Sequence, residues 1–184
     1  MPEGEEKKRK GESLDLIDEQ LSYVDKIVSD LQDYARPLKP KMEEVNIKQI
    51  LDPIISTVII PKNIKTVTRI DENLPLVMAD PALLRRALVS MVTNAIQAMP
   101  SGGTLTVEAR NGKEKALLLS VEDTGGGIPE EVRSRLFRPF TTTKSKGQGL
   151  GLAVCKRIVD AHHGELGYET WAGRGTKFTM RLPM

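Results

Sequence analysis

The chain has 184 residues, 39% hydrophobic and 28% charged, with a formal net charge of +2, enough for one real core plus an appendage. The near-neutral balance gives no electrostatic ground for a nucleic-acid partner. The single cysteine, Cys155, excludes an internal disulfide and suits a reducing compartment, the adjacent pair His162 and His163 makes no Cys/His metal cluster, and no apolar run reaches a membrane span.

A cytoplasmic chain is therefore expected, with a membrane-anchored parent left open. Residues 1–12 are charged and aperiodic, the composition of a mobile segment. From residue 13 to 36 the pattern changes. Leu14, Ile17, Leu21, Val24, Val28, Leu31 and Ala35 follow a 3-4 spacing, which predicts a coiled-coil-like amphipathic helix whose narrow seam suits a partner helix, the alternative being an ordinary helix lying on its own domain. Pro37 and Pro40 end it and open a linker over 37–44.

A compact domain is expected over 45–184. The spacing predicts a helix over 46–58, interrupted by Pro53, and a strand over 65–70. Asp80-Pro81 is a helix start, with an N-cap acceptor and a proline at N1, and that helix runs to about Met99, before Pro100-Ser101-Gly102-Gly103. Strands are expected over 104–109 and 116–122, a helical turn over 129–136, a helix from Gln148 to about His162, and strands over 165–170 and 176–182. Helices with hairpin-like strands between them predict a two-layer α/β sandwich with a mixed sheet. Strict βαβ alternation is absent, which argues against a doubly wound sheet.

Three patches carry chemistry. The first is Gly147-Gln148-Gly149-Leu150-Gly151-Leu152, glycines running into a helix start. Helix starts offer unpaired N–H groups and partial positive charge, and glycine lets the backbone approach an anion closely. Thr141, Thr142, Thr143, Lys144, Ser145 and Lys146 precede it, so the whole reads as a phosphate cradle. The lysines precede the glycines, so it is not a Walker-type loop, and Leu152 stands where G-x-G-x-x-G needs its third glycine. The second patch is Ser90, Asn94 and Gln97, a polar stripe beside the apolar face Leu84, Leu88, Met91, Val92, Ala95 and Ile96. Asn94 reads either as a polar residue at the core edge or as an oxygen ligand for a hard cation such as Mg²⁺. The third is Asp123-Thr124-Gly125-Gly126-Gly127-Ile128 after an apolar strand. It reads as a turn, or as a carboxylate beside a close-approach loop that accepts from an exocyclic amine.

In order and spacing these patches resemble the catalytic, ATP-binding domain of sensor histidine kinases, within the gyrase/Hsp90/MutL-type ATPase group. Residues 88–98 (LVSMVTNAIQA) are similar to its N box, 123–128 to its G1 box, 136–140 (LFRPF) to its F box and 147–152 to its G2 box. Residues 140–144 and 158–164 resemble the nitrogen-regulation-type subgroup. Residues 30–37 (DLQDYARP) resemble the second helix of the family's dimerisation hairpin.

The resemblance implies a Bergerat-type fold binding ATP and Mg²⁺. It implies that Asn94 holds the metal on the triphosphate and acts with Lys144 in catalysis. Gln97 and Ala98 would complete the nucleotide contacts of the N-box helix. Asp123 would bond the adenine amine in a pocket shaped by Gly125, Gly127 and Ile128, with the Thr176 hydroxyl nearby. Residues 137–148 would form a mobile ATP lid carrying Thr143, Lys144, Gly147 and Gln148, with Lys144 approaching the phosphates and Gly147, Gly149, Leu150 and Gly151 supplying backbone donors. Implied partners are a phospho-acceptor histidine helix, a response-regulator receiver domain and a second copy paired through residues 14–35.

Three departures bear on activity. Ser90 stands where the family has its first N-box asparagine and hydrolysing relatives a glutamate, and serine is too weak a base to activate water. Arg138 replaces a more usual acidic residue. No histidine precedes His162, so the phospho-acceptor must come from elsewhere, and His162 and His163 read as structural residues favouring a helix C-terminus. A nucleotide-binding module with little turnover and a related protein serine kinase remain alternatives.

Overall fold

The computed structural model describes residues 17, 18, 21, 24, 28, 31, 32, 34, 35, 37–142 and 149–184. The chain divides into two compact units, Met1–Pro37 and Leu38–Met184. In the first, all the described residues before Pro37 are helical, and Ile17, Leu21, Val24, Val28 and Leu31 of the heptad seam are exposed. Leu14 lies outside the described residues. No helix among the described residues is long and apolar enough to cross a membrane.

The second unit is a two-layer α/β sandwich. Its main sheet has the order β2-β4-β5-β7-β6, from β2 (Ile64–Ile70), β4 (Gly103–Gly112), β5 (Ala116–Asp123), β6 (Glu165–Trp171) and β7 (Gly175–Pro183). Only β2–β4 is parallel, so the sheet is mixed, as expected. Three helices cover one face: α1 (Ile47–Thr57), α2 (Pro81–Ala98) and α4 (Gly151–Ala161); a short α3 (Glu130–Arg133) follows β5. Alternate strand residues Leu105, Val107, Leu117, Leu119, Val121, Phe178, Met180 and Leu182 meet helix residues Ile50, Leu88, Met91, Ile158 and Val159 in one core. The opposite face is solvated. There Lys177 and Ser120 both donate to Glu108, at 2.9 and 3.2 Å. The Lys177 bond holds the Glu108 carboxyl below its usual range, outweighing the burial that raises it.

The first two helices begin at side-chain caps. The Asn46 side chain accepts the Lys48 N–H at 3.0 Å and starts α1, which tolerates Pro53. Asp80 starts α2 by accepting the Ala82 and Leu83 N–H groups, both at 3.0 Å, with Pro81 at N1. The last helix starts at Gly151 rather than Gln148, since Gly149 takes φ +67°, outside helical geometry.

Two strands escaped the periodicity. β1 (Glu43–Val45) pairs antiparallel with β3 (Val77–Ala79) in a small second sheet. Residues 43 and 44 thus form structure where the sequence reads as linker. Three-residue strands carry too few alternations to be seen.

His162 ties this frame together. Its Nδ1 donates to the Ile158 carbonyl at 2.7 Å and its Nε2 accepts the Asp80 N–H at 2.9 Å. The histidine is structural, but it acts as a buried neutral ring joining two helices rather than as a cation on a dipole. Asp80 also accepts the Lys41 N–H at 2.8 Å, so the incoming chain, the start of α2 and the end of α4 meet at one point.

Candidate active site

The site is built along one face of α2. Ser90, Asn94 and Ala98 lie at i, i+4 and i+8, so they share a stripe about 6 Å per step. At the Ser90–Asn94 level α4 begins. A Cβ on Gly151 would lie 2.8 Å from Ser90 Oγ and 3.7 Å from Asn94 Nδ2. The start of α4 is thereby set beside two polar side chains, and a side chain at 151 would have to displace the Ser90 hydroxyl. Leu150, buried to 1% exposure, caps α4 without a side-chain bond and anchors it in the core. The N–H groups of its first turn stay available to an anion.

One turn further along α2 lies the glycine loop. A Cβ on Gly125 would meet the Ala98 carbonyl oxygen at 2.4 Å, so the loop lies directly against the helix end. Gly127 has φ +79°, and its Cβ would meet the Trp171 carbonyl oxygen at 2.5 Å on the other side. Gly173 N–H donates to Gly126 O at 2.9 Å. The loop is wedged between two stretches of backbone, which leaves no room for side chains at 125 and 127. Asp123, 4% exposed, accepts the Gly125 N–H at 2.8 Å, a local turn that also fixes the carboxylate. Thr176, equally buried, stands opposite it in the β5–β7 ladder. Ile128 N–H donates to Thr170 Oγ1 at 2.8 Å, and Ile128 O accepts Arg133 Nε at 3.0 Å.

The tertiary structure therefore joins two of the sequence patches through α2. Asn94 and Gly151 stand at one end, and Ala98, Asp123, Gly125, Gly127, Ile128 and Thr176 gather at the other. Gln97 is exposed, off this stripe. Gly149 abuts Thr141, where a Cβ would lie 2.6 Å from its backbone N and O. Thr143, Lys144, Gly147 and Gln148 lie outside the described residues.

Sequence reasoning missed three supports. Thr170 bonds the loop; Gly175, at φ +113°, lets β7 start so close to β5 that a Cβ would fall 1.8 Å from Asp123 O; and Thr124 Oγ1 accepts the Thr104 N–H at 2.9 Å. Gly175 had a signal in the Gly-Arg-Gly turn before Thr176. The two threonines had none, because their partners are distant in sequence.

A mixed sheet covered on one face by helices, with a helix start and a glycine loop joined along one helix, defines a nucleotide-site architecture. The histidine kinase-, DNA gyrase B- and HSP90-like ATPase family model matches residues 79–184, more than half of the chain, and the chain belongs to that family. Among curated relatives it is 36% identical, over 86% of its length, to the C4-dicarboxylate transport sensor protein DctS of Rhodobacter capsulatus. It is 33% identical, over 92%, to sporulation kinase C of Bacillus subtilis and 28% identical, over 94%, to the signal transduction histidine-protein kinase AtoS of Escherichia coli. The chain spans 25%, 40% and 29% of those relatives. Full-length ShkA in complex with AMPPNP superposes with a TM-score of 0.75 at 26% identity, covering 86% of this chain and 35% of that one. ThkA in complex with the response regulator protein TrrA gives 0.73 at 26%, covering 91% and 49%. The chain thus carries the ATPase-type domain of sensor histidine kinases.

Proposed function

We propose that this chain binds Mg·ATP and delivers the γ-phosphate to a histidine on another segment or polypeptide, the catalytic step of two-component signalling. The observation that carries the reading is the pairing, along one face of α2, of a helix start beside Asn94 with a buried carboxylate beside a glycine loop. The first end suits phosphates and the second suits a base.

The donor set fits the metal. Asn94 supplies a neutral oxygen, and Mg²⁺ takes few protein ligands and keeps waters and phosphate oxygens. Once bound, the cation supplies charge neutralisation on the triphosphate. The chain's own residues then orient. Asn94 holds the metal side of the triphosphate, and the first N–H groups of α4, at Gly151, face the phosphates. Leu150 fixes that helix start in the core, and Gly149 brings the loop against Thr141. Asp123 accepts from the adenine amine, while Ala98, Gly125, Gly127 and Ile128 form the walls and Thr176 the floor. Gln97, Thr143, Lys144, Gly147 and Gln148 complete the proposed set, with Lys144 neutralising charge on the transferring group.

Transfer is favoured over hydrolysis by Ser90, which offers no base for water. His162 has both ring nitrogens engaged, so it is not the acceptor. The complex of ThkA with TrrA supports a receiver domain as the downstream partner. Residues 13–36, as the second hairpin helix, would pair with a second copy through 14–35, in a cytoplasmic setting.

The test is phosphotransfer in trans. The chain, radiolabelled ATP and Mg²⁺ are mixed with a catalytically dead partner that carries an acceptor-histidine helix. Label appears on the partner and is lost in acid, as phosphohistidine is. Stable label on the isolated chain, or acid-stable label on the partner, rejects the reading.

A further inference from the structure

The Thr170 hydroxyl, at the end of β6, touches three stretches of chain around the Asp123 pocket. It accepts the Ile128 N–H at 2.8 Å, stands 3.0 Å from the Thr176 hydroxyl and lies 3.3 Å from the Gly175 carbonyl oxygen. Thr170 pairs with Thr176 across β6–β7, and Thr176 pairs with Asp123 across β5–β7. The three side chains therefore form a row over three strands on the buried face of the sheet.

A hydroxyl has one proton and two lone pairs. The Ile128 N–H takes one lone pair of Thr170, and the proton has two candidate acceptors. The Thr176 oxygen is the nearer, at a separation closer to the usual O–H···O range. Donation to Thr176 leaves the Thr176 proton free to point away from β6. Asp123, as a carboxylate, only accepts. The row then presents an acceptor beside a donor.

We infer that Thr170 is a positioning residue that sets the base preference of the site, by orienting the Thr176 hydroxyl as a donor and hanging the glycine loop on β6 through Ile128. The inference rests on the nucleotide reading above. Adenine offers an amine donor next to a ring-nitrogen acceptor, which matches acceptor-beside-donor. Guanine offers a carbonyl acceptor next to an N–H donor, the reverse order, and leaves both protein groups facing like partners. Such a mismatch leaves buried polar groups unsatisfied.

The test measures a fluorescent ATP analogue displaced by ATP or by GTP, on the purified chain and on Thr170→Val, Thr170→Ala and Thr170→Ser. Valine keeps the β-branched shape and removes the hydroxyl. Thr170→Val loses about tenfold in ATP affinity and its preference for ATP over GTP narrows by a similar factor. Thr170→Ser restores both, and Thr170→Ala repeats the valine result where valine perturbs folding, as thermal melts report. Unchanged preference in the valine or alanine variant overturns the inference, as does an equal loss for both nucleotides, which packing alone would give. An unmodified chain that binds neither nucleotide sinks the nucleotide reading with it. A chain that prefers ATP while its variants keep that preference sinks only the role of Thr170.

Discussion

Thr176 faces Asp123 across the β5–β7 ladder, and each is only 4% exposed. Buried polar groups are costly unless partnered. Asp123 receives the Gly125 N–H, and Thr176 lies against Thr170. The pair is thus held in place before any ligand arrives, which is the preorganisation a selective pocket needs. Replacing Asp123 with alanine removes the proposed acceptor for the base. Affinity for ATP falls by about ten- to hundredfold, roughly 1.5–3 kcal/mol. Titration calorimetry on the purified chain measures it, and undiminished affinity would move the base elsewhere.

The glycine loop separates required from dispensable glycines. A Cβ added to Gly125 or to Gly127 would lie within 2.5 Å of a carbonyl oxygen, whereas a Cβ on Gly126 meets nothing within 4 Å. Gly125→Ala and Gly127→Ala lower both stability and nucleotide affinity, by about 1–3 kcal/mol in folding for the strained position 127. Gly126→Ala leaves both near the parent. Denaturant melts of the three variants decide, and a Gly126→Ala loss as large as the other two contradicts the loop geometry.

Asn94→Ala is expected to abolish the metal-dependent part of ATP binding while leaving the fold intact, since the side chain is only half-buried at the helix surface. Titrations with and without Mg²⁺ read this directly. A variant whose affinity still rises on adding Mg²⁺ removes Asn94 from the metal site.

Acid sensitivity follows from Asp80. Burial raises its carboxyl, but the Leu83, Lys41 and Ala82 N–H groups that it accepts outweigh this and hold it below the ordinary 3.8. A carboxyl depressed in the folded state stabilises fully above its unfolded value, and that contribution is lost as pH falls through the folded value. Denaturant unfolding at pH 7 and at about pH 3 should show the parent losing more stability than Asp80→Asn, which keeps an oxygen acceptor and cannot titrate. Equal losses would refute the role of this carboxylate.

Cys155 should be chemically silent in the folded protein. Burial pushes its thiol up to about 11, despite contributions from Ser90 and Arg86 that lower it, and its sulfur donates to the Ala87 carbonyl at 3.4 Å between α2 and α4. At pH 8 only about one thiol in a thousand is thiolate. Maleimide labels it after unfolding and not before. Equal rates in both states would show the helix pair to be open.

Local chemistry was legible in the sequence wherever partners are neighbours in the chain. The Asp80-Pro81 helix start, the Asn46 cap, the β4–β5 and β6–β7 hairpins and the Asp123-to-Gly125 turn all depend on residues a few positions apart, and period and turn chemistry expose them. The two-layer class followed from the order of those elements. Three-residue β1 and β3 were too short for any period, and the start of α4 moved to Gly151 because Gly149 takes a left-handed conformation that a glycine permits but does not dictate.

What the chain determined by itself was the kind of chemistry: which oxygens, hydroxyls and glycines are present, at what spacing, and that Ser90 is no base. What only the tertiary structure decided was adjacency. Ser90 meets Gly151, Ala98 meets Gly125, Asp80 meets His162, and Thr170 meets both Ile128 and Thr176 because the β5–β7–β6 ladder and the packing of α2 on α4 bring distant segments within hydrogen-bond range. A hydroxyl's role depends on the few ångströms around it, and sequence spacing carries no information about contacts made 42 or 82 residues away.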